Sequence, residues 1–244
     1  MQRMHLVGYA GAAPIYVAEI AAAVRERRSG HLRTAMDDFR VLAIARPRAL
    51  EAAGDVLDGL TTLALPEDEP PHPVRDLTLA ARALDRVRGQ LELDLGRRFR
   101  RRSDGWLVVD GSLSESPDWA TDPRTVGVSK SHSALPFDGA DLERYLRLPR
   151  GHRTSVFAPE SRSVAPVLAW ALRLWSWEAR DLFHGLVRVE VAPANGEPAI
   201  ADQLSRWLIA ERAPLSTPDQ RWDRLLYGIH SVEQYLHARQ GALA

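Results

Sequence analysis

Asp110 closes the short apolar run Trp-Leu-Val-Val-Asp at 106–110 and is followed by Gly111, Ser112 and Leu113. A carboxylate at the end of a buried strand is held rigidly, and a glycine after it lets a cation or a phosphate approach the backbone closely. Alone the pair is a weak signal, because Asp-Gly is a common turn dipeptide. Glu92 lies seven residues after Asp85 and beside Leu91. From that flank a helical side chain reaches toward a sheet, although a charged helix residue is more often only a solvated face. His230 follows Ile229 on the border of an apolar helical stripe, with His237 two turns on as a competing candidate. A lone histidine in such a place is more often a packed side chain than a metal ligand or proton carrier. Lys130 ends the Val-Gly-Val-Ser-Lys segment at 126–130, where it offers either a point charge for phosphate or plain solvation of a strand end.

These signals gain weight from their order. Metal-assisted phosphodiester hydrolysis requires hard oxygen ligands that hold one or two divalent cations, which activate a water and steady the leaving oxygen. An RNase H-like site supplies them as an Asp on the first strand, a Glu on the first long helix, an Asp at the end of the next strand, and an Asp or His from a late helix. Glu92, Asp110 and His230 occur in that order on those kinds of element, whereas the first Asp is not found.

The elements that must carry these residues follow from the hydrophobic pattern. Pro14 to Arg25 reads as a strand on its Ile-Tyr-Val start, against the alanines that follow, and Phe39 to Ala45 reads as a second strand closed by Pro47. The two suggest an antiparallel pair. The Pro-Glu-Asp-Glu-Pro-Pro-His-Pro stretch at 66–73 is an exposed connector. Val74, Leu77, Ala81, Leu84, Val87, Leu91 and Leu95 then recur at helical spacing. Residues 106–110 and 125–130 predict short strands, and Arg153 to Ala158 one more. Val164 to Trp177 predicts a tryptophan-rich helix, Leu186 to Val191 an alternating strand, and Ile200 to Glu211 and Pro218 to Arg239 two closing amphipathic helices. The order specifies an α/β fold, a mixed sheet flanked by helices with additional C-terminal helices. Asp110 then falls at the carboxyl end of a central strand, where such sheets place their ligand sites.

With 244 residues the chain suits one domain over 1–244. Lys plus Arg equals Asp plus Glu, so only local clusters argue for a polyanion partner. The absence of cysteine excludes thiolate metal sites, disulfides and a Cys nucleophile. No stretch approaches the roughly 18 apolar residues that a membrane helix requires, and the first 30 residues lack the order of a secretory signal, so a cytoplasmic protein is expected.

At this point the chain resembles the NurA nuclease family over about Gly8 to the C-terminus. The matching stretches are the helix with Glu92, then WLVVDGSL, VGVSKSH at 126–132, WALRL at 170–174, LVRVEV, and Trp222 with Leu226 and His230, which resembles the family's Tyr-Pro-x-x-Leu-x-x-x-His pattern. The resemblance implies an RNase H-like core, DNA as substrate, Mn2+ or Mg2+ held by Glu92 and Asp110 with His230 as further ligand or proton carrier, a homodimer, and a HerA-type hexameric ATPase as partner. Two departures stand out. The family carries a first Asp in an Asp-Gly-Ser turn ahead of a stretch like GYAGAAPIYVAEI, and here only seven residues precede Gly8, so the strand bearing that Asp is expected to be missing or short. Asp37 and Asp38 open a strand instead of ending one and do not take its role. Trp222 stands where the family has tyrosine, which removes a phenolic hydroxyl and keeps the packing.

The first function expected is thus a metal-dependent DNA nuclease processing DNA ends in repair or defence. The second is a catalytically inactive NurA-like subunit that docks the ATPase and binds DNA. Lys130, Arg98 and Arg101 are the expected nucleic-acid contacts, the arginines belonging to a run at 97–102 that also suits the dipole of a helix C-terminus. An unrelated α/β domain binding a small molecule has no phosphate loop, nucleophile elbow or HExxH motif to support it.

Overall fold

The computed structural model describes residues 1–130, 135–159, 165–212 and 222–240. Ser131 and His132 of the VGVSKSH stretch, Val164, residues 218–221 and the side chain of Trp222 lie outside the described residues. The chain forms two compact units, one of Met1–Ser103 with Val232–Ala244 and one of Asp104–Ser231. Each contains a four-stranded mixed sheet with helices, so the chain is α/β. Among the described residues no helix is long and apolar enough to cross a membrane.

In the first unit β1 (Gln2–Ala10), β2 (Ala13–Arg28) and β3 (His31–Ala45) form an antiparallel meander. The helix α1 (Pro47–Ala53) leads to β4 (Thr61–Ala64), which pairs parallel to β3, and α2 spans Pro73–Arg100. The strand β1 runs through Gly8 to Ala10 and holds neither Asp nor Glu. The alanines of β2 are no obstacle to a strand because both of its faces are covered. Tyr16, Ala18, Ile20 and Ala22 alternate onto one face and meet Ala80, Ala83, Leu84, Leu91 and Leu95 of α2. Ala13 and Ile15 face the other way, with Ala43 and Ala45, onto Ala49 of α1 and onto Leu57. Small side chains let a helix lie close to the sheet. On α2 the buried stripe runs through Ala80 and Ala83, while Val74 and Leu77 of the expected stripe stand exposed in the first turns.

Those first turns are held by charge. Asp76 is 0% exposed and takes two 2.8 Å hydrogen bonds from Arg46, to Oδ2 from Nε and to Oδ1 from Nη2. Arg46 also donates to the carbonyls of Glu69 and Pro70, so the acidic, proline-rich connector is bound to the end of β3. The hydrogen bond from Arg46 holds the Asp76 carboxyl below the usual carboxylate range.

In the second unit β5 (Leu107–Asp110), α3 (Pro117–Thr121), β6 (Thr125–Ser129), α4 (Gly139–Leu146), β7 (Leu168–Arg173), β8 (Leu186–Val191) and α5 (Pro198–Ala210) follow in sequence. Here begins α6 (Tyr227–Gln240), preceded by a single 3-10 turn at Trp222–Arg224. The sheet order is β5-β6-β8-β7, with only the β5–β6 pair parallel. The helix expected over Val164 to Trp177 is corrected to the strand β7. Trp170 and Leu172 point to one face and Ala169 and Ala171 to the other, all buried, and a strand covered on both faces reads as a continuous apolar run that periodicity does not distinguish from a helix. Arg153 to Ala158, expected as a strand, makes only isolated bridges to β7 at Arg153 and Phe157. Trp170 donates from Nε1 to Ser205 Oγ at 2.9 Å, which registers α5 on the sheet.

Because Asp76 gains acidity on folding, its contribution to stability is present above the ordinary carboxylate range and is lost as pH falls through its depressed value. Arg46→Ala leaves this carboxylate buried without its partner and is expected to cost about 3–5 kcal/mol at neutral pH in denaturant unfolding. Asp76→Asn should flatten the loss of stability on acidification. An Arg46→Ala cost under about 1 kcal/mol would show that the pair does not hold the connector.

Candidate active site

The parallel pairing of β5 and β6 decides what surrounds Asp110. Leu107 to Asp110 align with Thr125 to Val128, so both strands finish at the same end of the sheet. Two residues past Val128 the chain reaches Lys130, whose Nζ lies 3.0 Å from Asp110 Oδ2. The lysine side chain is 9% exposed and the aspartate 46%, so the ammonium is packed beneath an accessible carboxylate. Arg224 donates to the Lys130 carbonyl at 3.1 Å. The expectation that Asp110 ends a central strand is corrected: β5 is an edge strand of its sheet, with Val108 exposed. A four-residue apolar run does not tell an edge from a centre.

The turn after Asp110 is fixed from below by a residue the sequence did not single out. Glu190 on β8 is 1% exposed, and its Oε2 accepts from Ser112 Oγ at 2.7 Å and from the Leu113 amide at 2.8 Å. Its other oxygen, Oε1, lies 2.8 Å from Arg188 Nε. One carboxylate oxygen thereby holds the turn while the other faces Arg188 on the same strand. Gly111, at φ +125°, donates to the Val128 carbonyl at 3.0 Å. Leu113 is fully buried over Gly127, where a Cβ would come within 2.7 Å of Leu113 Cγ and 2.8 Å of the Gly111 carbonyl oxygen. Gly127 pairs with Glu190 across the β6–β8 ladder, so the missing side chain and the buried acid lie side by side under one turn. The alternation of LVRVEV hid Glu190, because a strand with polar residues at every second place reads as half-solvated. Its only sequence signal was a charge between two buried valines.

The other expected site residues are placed as follows. Glu92 belongs to the first unit, where it is half exposed and pairs with Arg88 one turn earlier on α2 at 2.6 Å. His230 lies on α6 within the second unit and is half-buried. Arg98 pairs with Asp38 at 3.2 Å, and Arg101 is exposed at the end of α2. Asp38 also meets Arg40 at 3.3 Å, and Asp37 accepts from the Tyr235 hydroxyl, so both of these acids are engaged structurally. Of the expected site residues, the structure brings Asp110 and Lys130 together.

Whether these groups suit a divalent cation depends on the donor set. Asp110 offers what a hard cation takes, an accessible oxygen on a rigid support. Among the described residues, however, no group of three or more His, Asp or Glu side chains stands together to hold a metal ion. Among the described residues this site supplies one such ligand, Asp110, and not the set. No protein-family model matches the chain, and no curated protein matches it.

Gly127→Ala forces the Asp110 turn off the sheet and is expected to lower stability by about 1–3 kcal/mol. Glu190→Ala, which strips the acceptor from the turn and the partner from Arg188, should cost about 3–5 kcal/mol, while Glu190→Gln retains an acceptor and loses less. Thermal and denaturant unfolding of the three variants checks this; equal losses for Gln and Ala would show that the charge, and not the acceptor, holds the turn.

Proposed function

We propose that the chain is a NurA-like DNA-processing nuclease with an RNase H-like core, in which Asp110 is the carboxylate presented to the scissile region of the substrate. The observation that carries this reading is the mounting of Asp110. An exposed acid stands at the end of paired parallel strands, on a turn clamped by a buried glutamate, with an ammonium 3.0 Å away. Lys130 supplies a positive point charge for a phosphate oxygen beside it. The reading calls for Mn2+ or Mg2+ as cofactor, with Glu92 and His230 in the roles the resemblance implies. It also calls for a homodimer acting with a HerA-type hexameric ATPase.

A second reading is supported by the charge pairing. Asp110 is neutralised by Lys130 and Glu92 by Arg88, as expected for a subunit that keeps the fold, docks the ATPase and binds DNA without cutting it.

Manganese-dependent degradation of end-labelled single- and double-stranded DNA separates the two. The nuclease reading expects cleavage by the parent chain and a loss on the order of 100-fold or more in Asp110→Ala, the scale of effect that misplacing a reacting group produces. Glu92→Gln and His230→Asn test the accompanying roles. A folded parent chain that binds DNA and leaves it intact under these conditions selects the second reading.

A further inference from the structure

The first unit carries a concentration of positive charge that the Asp110 site does not use. The β2–β3 hairpin turns through Arg-Glu-Arg-Arg-Ser-Gly-His-Leu-Arg at 25–33, and α2 ends within Arg-Arg-Phe-Arg-Arg-Arg at 97–102. These fifteen residues hold nine arginines against one glutamate in a chain whose net charge is zero. The charges are therefore gathered and not scattered.

The two segments, far apart in sequence, line one open groove of about 330 Å³. Arg28 and Arg33 come from the hairpin, Arg102 from just beyond the helix, and Met36 and Phe99 add an apolar portion to the wall. The hairpin is shaped for this. Its register slips between Val24 and Arg25, where Ala35 is the extra residue of a bulge, and beyond it Glu26 pairs across the ladder with Arg33 and Arg28 with His31. Alternation puts those four side chains on one face of the ribbon. Among the described residues Arg33 and Arg102 enter no ion pair. Arg28 meets Glu26 at 2.7 Å with its own side chain largely in water, an exposed pair that yields readily to a stronger anion.

We propose that this groove binds the sugar-phosphate backbone of DNA, with Arg28, Arg33 and Arg102 on phosphate oxygens. Guanidinium groups match phosphate in a fork of parallel hydrogen bonds, and a two-stranded ribbon is narrow enough to follow a duplex groove. Backbone contacts carry no sequence information, so binding here is independent of sequence and strongly dependent on salt. The inference rests on the reading of the chain as one that acts on DNA, and it adds a holding role for residues to which that reading assigns no chemistry.

The test is binding of a short fluorescent duplex to the full chain in EDTA, across a sodium chloride series, so that cleavage plays no part. The combined variant Arg28→Ala, Arg33→Ala, Arg102→Ala is compared with a control of equal charge loss at exposed sites, Arg82→Ala, Arg180→Ala, Arg206→Ala. With a slope of about 0.9 per neutralised phosphate, the groove variant should lose roughly tenfold or more in affinity and lower the salt slope by about 2–3. The control should keep most of both, and circular dichroism should show all three proteins folded. Equal losses in the two variants, or no loss in the groove variant, overturn the groove while leaving DNA as the substrate. A folded parent chain that binds no DNA overturns the groove and the DNA reading together. Binding that falls only in the groove variant sustains the groove even if the parent chain cuts nothing.

Discussion

Asp76 and Glu190 are each withdrawn almost wholly from water, and a carboxylate so placed must be met by donors that the chain itself brings to it. In the first unit the donor is Arg46, which reaches from the end of β3 to the first turn of α2 and gathers the carbonyls of the connector on the way. In the second it is the turn after Asp110, through Ser112 and the Leu113 amide, with Arg188 alongside. Against an apolar replacement such arrangements gain little stability. What they impose is geometry: three segments have one arrangement in which the acid is satisfied. The same requirement therefore fixes the entry of α2 in one unit and the attitude of the Asp110 turn in the other.

Glycine completes the second of these arrangements. Glu190 pulls the turn down from one side, and Gly127 beside it leaves the space into which Leu113 and the Gly111 carbonyl settle. An acid that attracts and a residue that yields act on the same three-residue segment, Gly111 to Leu113. Asp110 itself is left outside that arrangement, half exposed, with Lys130 as its neighbour.

Much of the architecture was legible from patterning. The β2–β3 pair, α2, β5, β6, β8 and α5 all follow from period and punctuation, as does the mixed α/β class. What misled was burial on both faces. β7 lost its alternation because Ala169 and Ala171 are covered as fully as Trp170 and Leu172, so a strand took on the appearance of a helix. For the site, the sequence placed Asp110 and Lys130 each at a strand end, and the structure makes the two strands neighbours. It could not show Glu190, because nothing in Leu-Val-Arg-Val-Glu-Val distinguishes an acid facing solvent from one facing a turn seventy-seven residues earlier in the chain. Nor could spacing alone reveal that Arg28, Arg33 and Arg102, from two distant segments, line one groove, since the bulge that turns the hairpin's side chains is a single residue.

Lys130 is the one lysine in the chain; every other basic side chain apart from the histidines is an arginine. The sole side-chain amine is thus the group seated against Asp110. A reagent that acylates amines finds one internal address, and must draw that amine away from its carboxylate to react. The protein contains, without engineering, a chemical reporter at its candidate site, whose labelling rate follows whatever competes for Asp110, be it an ion, a strand of DNA or a neighbouring subunit.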